Sequence, residues 1–214
     1  MLALIDYGSG NLRSVHKALL EAGASVKLVR HGDEITGATG LVLPGVGAFD
    51  DCMNALRDQG LLDPIRSFIG TGRPFLGICV GYQALFERSE EFQSRAPGLG
   101  IFRGPVVRFV HQPGLKVPQI GWNRLQIANS ECPLYQGVPD GSHVYFVHSY
   151  YPHPADSTVV STWTDYGGRF ASSIWRSNVF GTQFHPEKSQ AVGLKILRNF
   201  TQYAENPSLG GRSA

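Results

Sequence analysis

Arg73–Arg88, R-P-F-L-G-I-C-V-G-Y-Q-A-L-F-E-R, constrains the fold of this chain more than any other stretch. A short apolar run, Phe75 to Ile78, follows Pro74, and Ala84, Leu85 and Phe86 follow Gly81 at helical spacing. The pattern predicts a buried strand that turns sharply into a helix. Cys79 sits at that turn between Gly77 and Gly81, in a G-x-C-x-G frame. Small residues two before and two after let the backbone fold tightly and lift the side chain above the sheet. That is the form of a nucleophile elbow with sulfur in place of oxygen. A helix starting at the thiol would favour its ionised form through the partial positive charge of its N-terminus. A lone cysteine is more often a small buried hydrophobe. The paired glycines at a strand-to-helix junction turn the reading toward chemistry.

Upstream, Leu2–Ile5 reads as a short buried strand ending at Asp6, and Y-G-S-G-N turns into a helix over Leu12–Glu21, closed by Gly23. The third glycine of G-x-G-x-x-G is missing there, so dinucleotide binding is set aside. Ser25–Val29 and Leu41–Leu43 are the next strands, the latter running into P-G-V-G-A-F, and helical patterning resumes at Phe49 and over Leu61–Phe68. Strands alternating with helices argue for parallel pairing, right-handed crossovers and helices on both faces. From Phe102 the segments shorten: V-V-R-F-V, Y-F-V-H-S-Y-Y, S-T-V-V-S-T-W-T and F-A-S-S-I-W are expected as antiparallel strands added to the same sheet. Val179–Phe184 returns as a strand that delivers H-P-E, and a last helix from about Gln190 to Tyr203 packs on the sheet. The expected fold is α/β: a mostly parallel twisted sheet with helices on both faces and an antiparallel β extension. Residues 1–205 form one domain, and 206–214 read as a loose tail.

A chain of 214 residues is long enough for one well-buried core. Its net charge of +2 comes from interleaved charges of both signs with no basic stripe, so nucleic acid is not an expected partner. Cys52, Cys79 and Cys132 are odd in number and widely spaced, which fits a reducing compartment and offers no metal cluster. Packing accounts for Cys52 and Cys132. The opening M-L-A-L-I-D-Y-G reads as a first strand rather than a signal peptide, and no apolar run reaches membrane-spanning length. A cytoplasmic protein is expected.

A cysteine nucleophile needs a base, and the base needs a group to orient it. Of seven histidines, His185 is best placed, because a strand ends at it and Glu187 lies two residues on. Pro186 keeps His185 out of helical geometry, and in extended chain residues i and i+2 project to the same side. Glu187 can then fix the imidazole tautomer and stabilise the imidazolium. By itself H-P-E reads equally well as a strand-exit turn with a solvated acid; beside the elbow, the catalytic reading leads. For an oxyanion, the backbone N–H of Val80 is one donor, and Gly45-Val46-Gly47 at the neighbouring strand end can present another. Such a set needs no metal and no organic cofactor.

G-I-C-V-G-Y-Q together with Q-F-H-P-E-K resembles the class I, triad-type glutamine amidotransferases, which use Cys, His and Glu to release ammonia from glutamine. Three further stretches are D-Y-G-S-G-N-L, L-P-G-V-G-A-F, and V-P-Q-I-G-W-N followed by Y-F-V-H-S-Y-Y. They narrow the resemblance to the branch that supplies ammonia for histidine biosynthesis. The likeness runs from Ile5 to about Phe200. It implies a flavodoxin-like three-layer sandwich, with Cys79 as nucleophile, His185 as general base and acid, and Glu187 as its partner. By the same resemblance Gln83 and Glu91 hold the glutamine, with backbone around Ser149 and Tyr150, and Val46 and Gly47 line the oxyanion site. It also implies a separate (β/α)8 cyclase docked over the site mouth against Asn11, Gln119, Trp122, Asn123, Tyr145 and Lys188, with little glutaminase activity before docking. The chain departs from the common family pattern at Gln119, where His is frequent, and at Val80, where Leu is frequent. Subunits serving anthranilate, aminodeoxychorismate or pyridoxal phosphate synthesis share the elbow and H-P-E. DJ-1-like and peptidase-like proteins commonly place His directly after the cysteine, where Val80 stands. A silent glutamine-binding scaffold would not need the intact Cys79, His185 and Glu187.

Overall fold

The computed structural model describes residues 1–8 and 11–206. Ser9 and Gly10, in the glycine-rich turn expected after the first strand, and residues 207–214 of the expected tail lie outside it. Four strands open the chain: β1 (Leu2–Ile5), β2 (Val26–Val29), β3 (Gly40–Gly45) and β4 (Phe75–Cys79). They pair in parallel in the order β2-β1-β3-β4. Every residue of β1, β3 and β4 is buried, which is why these strands read as continuous apolar runs rather than alternating ones. Helix α1 (Leu12–Glu21) connects β1 to β2, and α2 (Phe49–Asp58) and α3 (Leu62–Gly70) connect β3 to β4. The chain steps away from β1 in opposite directions in these two crossovers, so their shared right-handedness sets α1 and the α2–α3 pair on opposite faces.

Beyond the elbow come α4 (Val80–Gln83), β5 (Arg88–Ser89), β6 (Pro105–Arg108), β7 (Gln119–Arg124), β8 (Gln126–Ile127), β9 (His143–His148) and β10 (Tyr150–Pro152). The chain closes with β11 (Val160–Asp165), β12 (Arg169–Arg176), β13 (Val179–Thr182) and α5 (Gln190–Glu205). Strand β13 extends the parallel sheet beside β4, and β12, β11 and β8 continue it antiparallel to an eight-stranded order, β2-β1-β3-β4-β13-β12-β11-β8. Helix α5 lies beside α1 and buries Ile196, Leu197, Phe200 and Ala204 at three- and four-residue spacing. Among the described residues no helix is long and apolar enough to cross a membrane.

Two sequence expectations need correction. The helix after the elbow closes after one turn. The carbonyls of Ala84, Leu85 and Phe86 accept from Leu99, from Ile101 and Phe102, and from Gly100, instead of from a next helical turn. Nor do all the later strands join the main sheet. Y-F-V-H-S-Y-Y breaks at Ser149, so that β9 pairs with β7 in a ribbon while β10 pairs with β6 in a separate three-stranded sheet. That change of partner brings Val147–Tyr150 over the elbow.

Candidate active site

Cys79 ends β4 with φ +55° and ψ −109°, a conformation that costs a non-glycine residue roughly 1–3 kcal/mol. The surrounding chain enforces it. A Cβ on Gly77 would lie 2.4 Å from the Gly81 carbonyl oxygen, and one on Gly81 would lie 2.0 Å from that of Leu43. The two glycines that flank the cysteine are therefore demanded by backbone-to-backbone contact, as the G-x-C-x-G frame predicts. Gly45 is part of the same packing: its Cβ would meet the Gly81 nitrogen at 2.6 Å. Gly45 does not itself line the pocket, whereas Val46, Gly47 and Val80 do.

Strand register brings the second half of the site alongside. Gly45 pairs with Cys79 on one side, and Thr182 pairs with Ile78 on the other. One residue past that pair, Gln183 stands level with Cys79, and two more reach His185. The His185 amide donates to the Tyr145 carbonyl at 2.9 Å, and its carbonyl accepts from Ser189 Oγ at 2.7 Å. Its Nδ1 meets Glu187 Oε1 at 2.8 Å, with both side chains almost completely buried. Burial opposes a charge on the His185 ring, but the Cys79 sulfur and the Glu187 carboxylate together outweigh it and push His185 up to about 10. The second carboxylate oxygen, Oε2, is buried without a partner, so no other donor draws the carboxylate away from the imidazole.

Cys79 and His185 open into one pocket of about 240 Å³ together with Gln83, Glu91, Ser149, Tyr150 and Lys188. The residues expected to hold an amide substrate thus surround the sulfur, though two are already engaged. Gln83 Nε2 donates to the Tyr150 carbonyl at 3.0 Å and to Gln183 Oε1 at 3.2 Å, which leaves its own carbonyl oxygen for a ligand. Glu91 Oε2 accepts from the Phe49 amide at 2.7 Å. Burial, with Asp50 and Asp51 nearby, holds Glu91 above the usual carboxylate range despite that bond.

Of the residues expected at a docking face, Trp122 is 48% exposed and its ring meets that of Tyr145 edge-on at 5.9 Å. Lys188 Nζ lies 5.9 Å from the Tyr145 ring centroid, so these three form one patch beside the pocket. Asn123 is half-buried and donates to the Asp165 carbonyl, and Asn11 is half-buried at the head of α1. Gln119 differs from the rest. It is only 3% exposed, and its side-chain amide lies 2.9 Å from His148 Nε2.

Four residues of the site escaped the sequence reading. Pro118, Val147 and His148 line the pocket, and Gln183 Nε2 lies 3.7 Å from the Cys79 sulfur. Strand alternation could have found Gln183, which lies two residues before His185; nothing local marks His148. Its Nδ1 faces the Tyr150 carbonyl at 2.9 Å, and burial holds its proton affinity down to about 3. A neutral ring donates once, and a carbonyl can only accept. Nδ1 therefore carries the proton, and Nε2, set 2.9 Å from Gln119 Oε1, gains a hydrogen bond there only with the amide turned to present its NH2.

The family model for glutamine amidotransferase class-I matches residues 3–203. The imidazole glycerol phosphate synthase subunit HisH of Syntrophotalea carbinolica is 51% identical over 205 residues, covering 94% of this chain and 98% of that one. The protein of the same name from a Synechococcus strain is 50% identical over 203 residues, covering 94% and 93%. A crystal structure of a glutamine amidotransferase superposes with a TM-score of 0.74 at 20% identity, covering 95% of this chain and 98% of the other. PurLQS from Thermotoga maritima also gives 0.74 at 20% identity, covering 96% and 97%. At that identity the two structures speak to the fold alone.

Proposed function

The chain belongs to the class-I glutamine amidotransferases, and from that premise we propose that it hydrolyses glutamine through a thioester on Cys79 and hands the ammonia to a synthase partner. The partner is a (β/α)8 cyclase of histidine biosynthesis, which would add the ammonia to a phosphoribosyl aminoimidazole intermediate and so yield imidazole glycerol phosphate and aminoimidazole carboxamide ribotide. The relatives' shared name, a subunit of imidazole glycerol phosphate synthase, supports this assignment. The reaction belongs to the cytoplasm.

The observation that carries the chemistry is the meeting of a strained Cys79 with a His185–Glu187 pair in one pocket. His185 takes the thiol proton, and the thiolate attacks the side-chain amide carbon of glutamine. The tetrahedral oxyanion would be met by the Val80 N–H and by amides of the Val46–Gly47 loop, where Gly47 has φ +89°. His185 then gives its proton to the leaving nitrogen, ammonia departs, and a γ-glutamyl thioester remains. Water enters with His185 as base, the C–S bond breaks, and glutamate leaves with the thiol restored. Glu187 stabilises the imidazolium in both halves. Gln83, Glu91 and backbone at Ser149 and Tyr150 are assigned to the substrate. Trp122, Tyr145, Lys188 and their neighbours are assigned to the partner.

Cys79→Ser tests the assignment. Glutamate release should vanish, while synthesis from free ammonia with the partner persists. Retained glutamine hydrolysis in that variant would rule out the covalent role.

A further inference from the structure

We propose that Gln183 is a positioning residue for the nucleophile, holding and orienting the Cys79 sulfur through its side-chain amide. The inference rests on the thioester reading above and adds a group to it. Gln183 is fully buried, a position where an amide is costly unless both its ends are used. Both are used: Nε2 donates to Cys79 Sγ at 3.7 Å, and Oε1 accepts from Gln83 at 3.2 Å.

The rest of the surroundings fixes that amide in place. Register beside β4 sets its height, since Thr182 pairs with Ile78. Gln83 is held in turn by the Tyr150 carbonyl, on which His148 Nδ1 also bears at 2.9 Å. The Gln119 amide bears on the far nitrogen of His148 at 2.9 Å. A polar chain therefore runs from Gln119 in β7 through His148, the Tyr150 carbonyl, Gln83 and Gln183 to the sulfur. Amide-to-amide contact with Gln83 also fixes the rotamer, because flipping Gln183 would set two NH2 groups against each other.

The donor matters most when the thiol loses its proton. As a thiol, Cys79 faces the Val147 carbonyl at 3.9 Å, an acceptor suited to S–H and unsuited to S⁻. Once His185 holds the proton, the Gln183 N–H is a neutral donor already aimed at the thiolate from the sheet side. A side chain of similar length and no N–H would fill the space and leave the thiolate less well held.

The test is glutamine hydrolysis, with the synthase partner present, by Gln183→Met and Gln183→Glu beside Cys79→Ser. Losing a donor to a charged sulfur should lower kcat about 10- to 100-fold in both Gln183 variants and shift KM by less than about threefold. Glu keeps an acceptor for Gln83 and gives no rescue, because it has no N–H for the sulfur. Near wild-type kcat in either variant overturns the proposal, as does a loss confined to KM. If Cys79→Ser is dead and Gln183→Met is fully active, only this inference falls. If Cys79→Ser is active, the thioester reading falls first. A measurement on the unaltered protein stands apart from variant folding. The Gln183 side-chain amide proton should move downfield in NMR spectra as Cys79 is deprotonated, and a fixed signal overturns the proposal.

Discussion

Acid should destabilise this protein from just below neutrality, with His148 responsible for much of the first loss. The ring is buried among Phe109, Phe146 and Phe170, and its two nitrogens are occupied by the Tyr150 carbonyl and the Gln119 amide. Burial pulls its affinity from the ordinary 6.5 down to about 3, so the unfolded chain takes up a proton that the native state refuses. A depressed folded value means that the stabilisation is complete above 6.5 and is lost as pH falls toward about 3. At about 1.4 kcal/mol per pH unit, the fall from pH 6.5 to about pH 5 removes about 2 kcal/mol. That is a large share of a typical stability of about 5–15 kcal/mol. His185 does not blur the window. Pushed up to about 10, it contributes fully below 6.5 and loses its contribution only as pH rises toward 10. Urea unfolding between about pH 7.5 and pH 5 should show the slope in wild type and a slope smaller by about 1.4 kcal/mol per unit in His148→Gln. The variant will be less stable throughout, so the slope is the quantity to compare. Parallel slopes would refute the assignment of a neutral buried ring.

Glu187→Gln replaces the carboxylate that faces His185 Nδ1 and should lower kcat at least about 100-fold with KM little changed, as steady-state glutaminase assays would show. Gly81→Ala drives a Cβ to within 2.0 Å of the Leu43 carbonyl oxygen, a backbone atom that cannot step aside. Thermal unfolding should reveal a loss above about 3 kcal/mol or no folded protein. Trp122→Ala, at a half-exposed ring packed on Tyr145, should weaken binding of the synthase partner about tenfold or more while leaving the urea midpoint nearly unchanged. Calorimetric titration with the partner reads the first effect and equilibrium unfolding the second.

What could be read along the chain was what depends on near neighbours. G-x-C-x-G announces the elbow in part because Gly77 answers to a clash with the Gly81 backbone four residues on, whereas Gly81 must clear the Leu43 carbonyl of a neighbouring strand. His185 and Glu187 announce each other because an extended backbone sends positions i and i+2 to one side. The continuous burial of β1, β3 and β4 follows from their apolar runs, since a parallel sheet covered on both faces leaves no polar side to alternate with. Tertiary structure decided the rest. Helix α4 stops after one turn because the segment from Leu99 to Phe102 takes the carbonyls of Ala84, Leu85 and Phe86 that follow it. Y-F-V-H-S-Y-Y breaks at Ser149 because its two halves pair with strands far apart in sequence. Gln183 reaches the sulfur, and Gln119 turns inward to His148, only through contacts between residues 104 and 29 positions apart. Pairing partners at that range are chosen by the whole packed sheet, which no local spacing encodes.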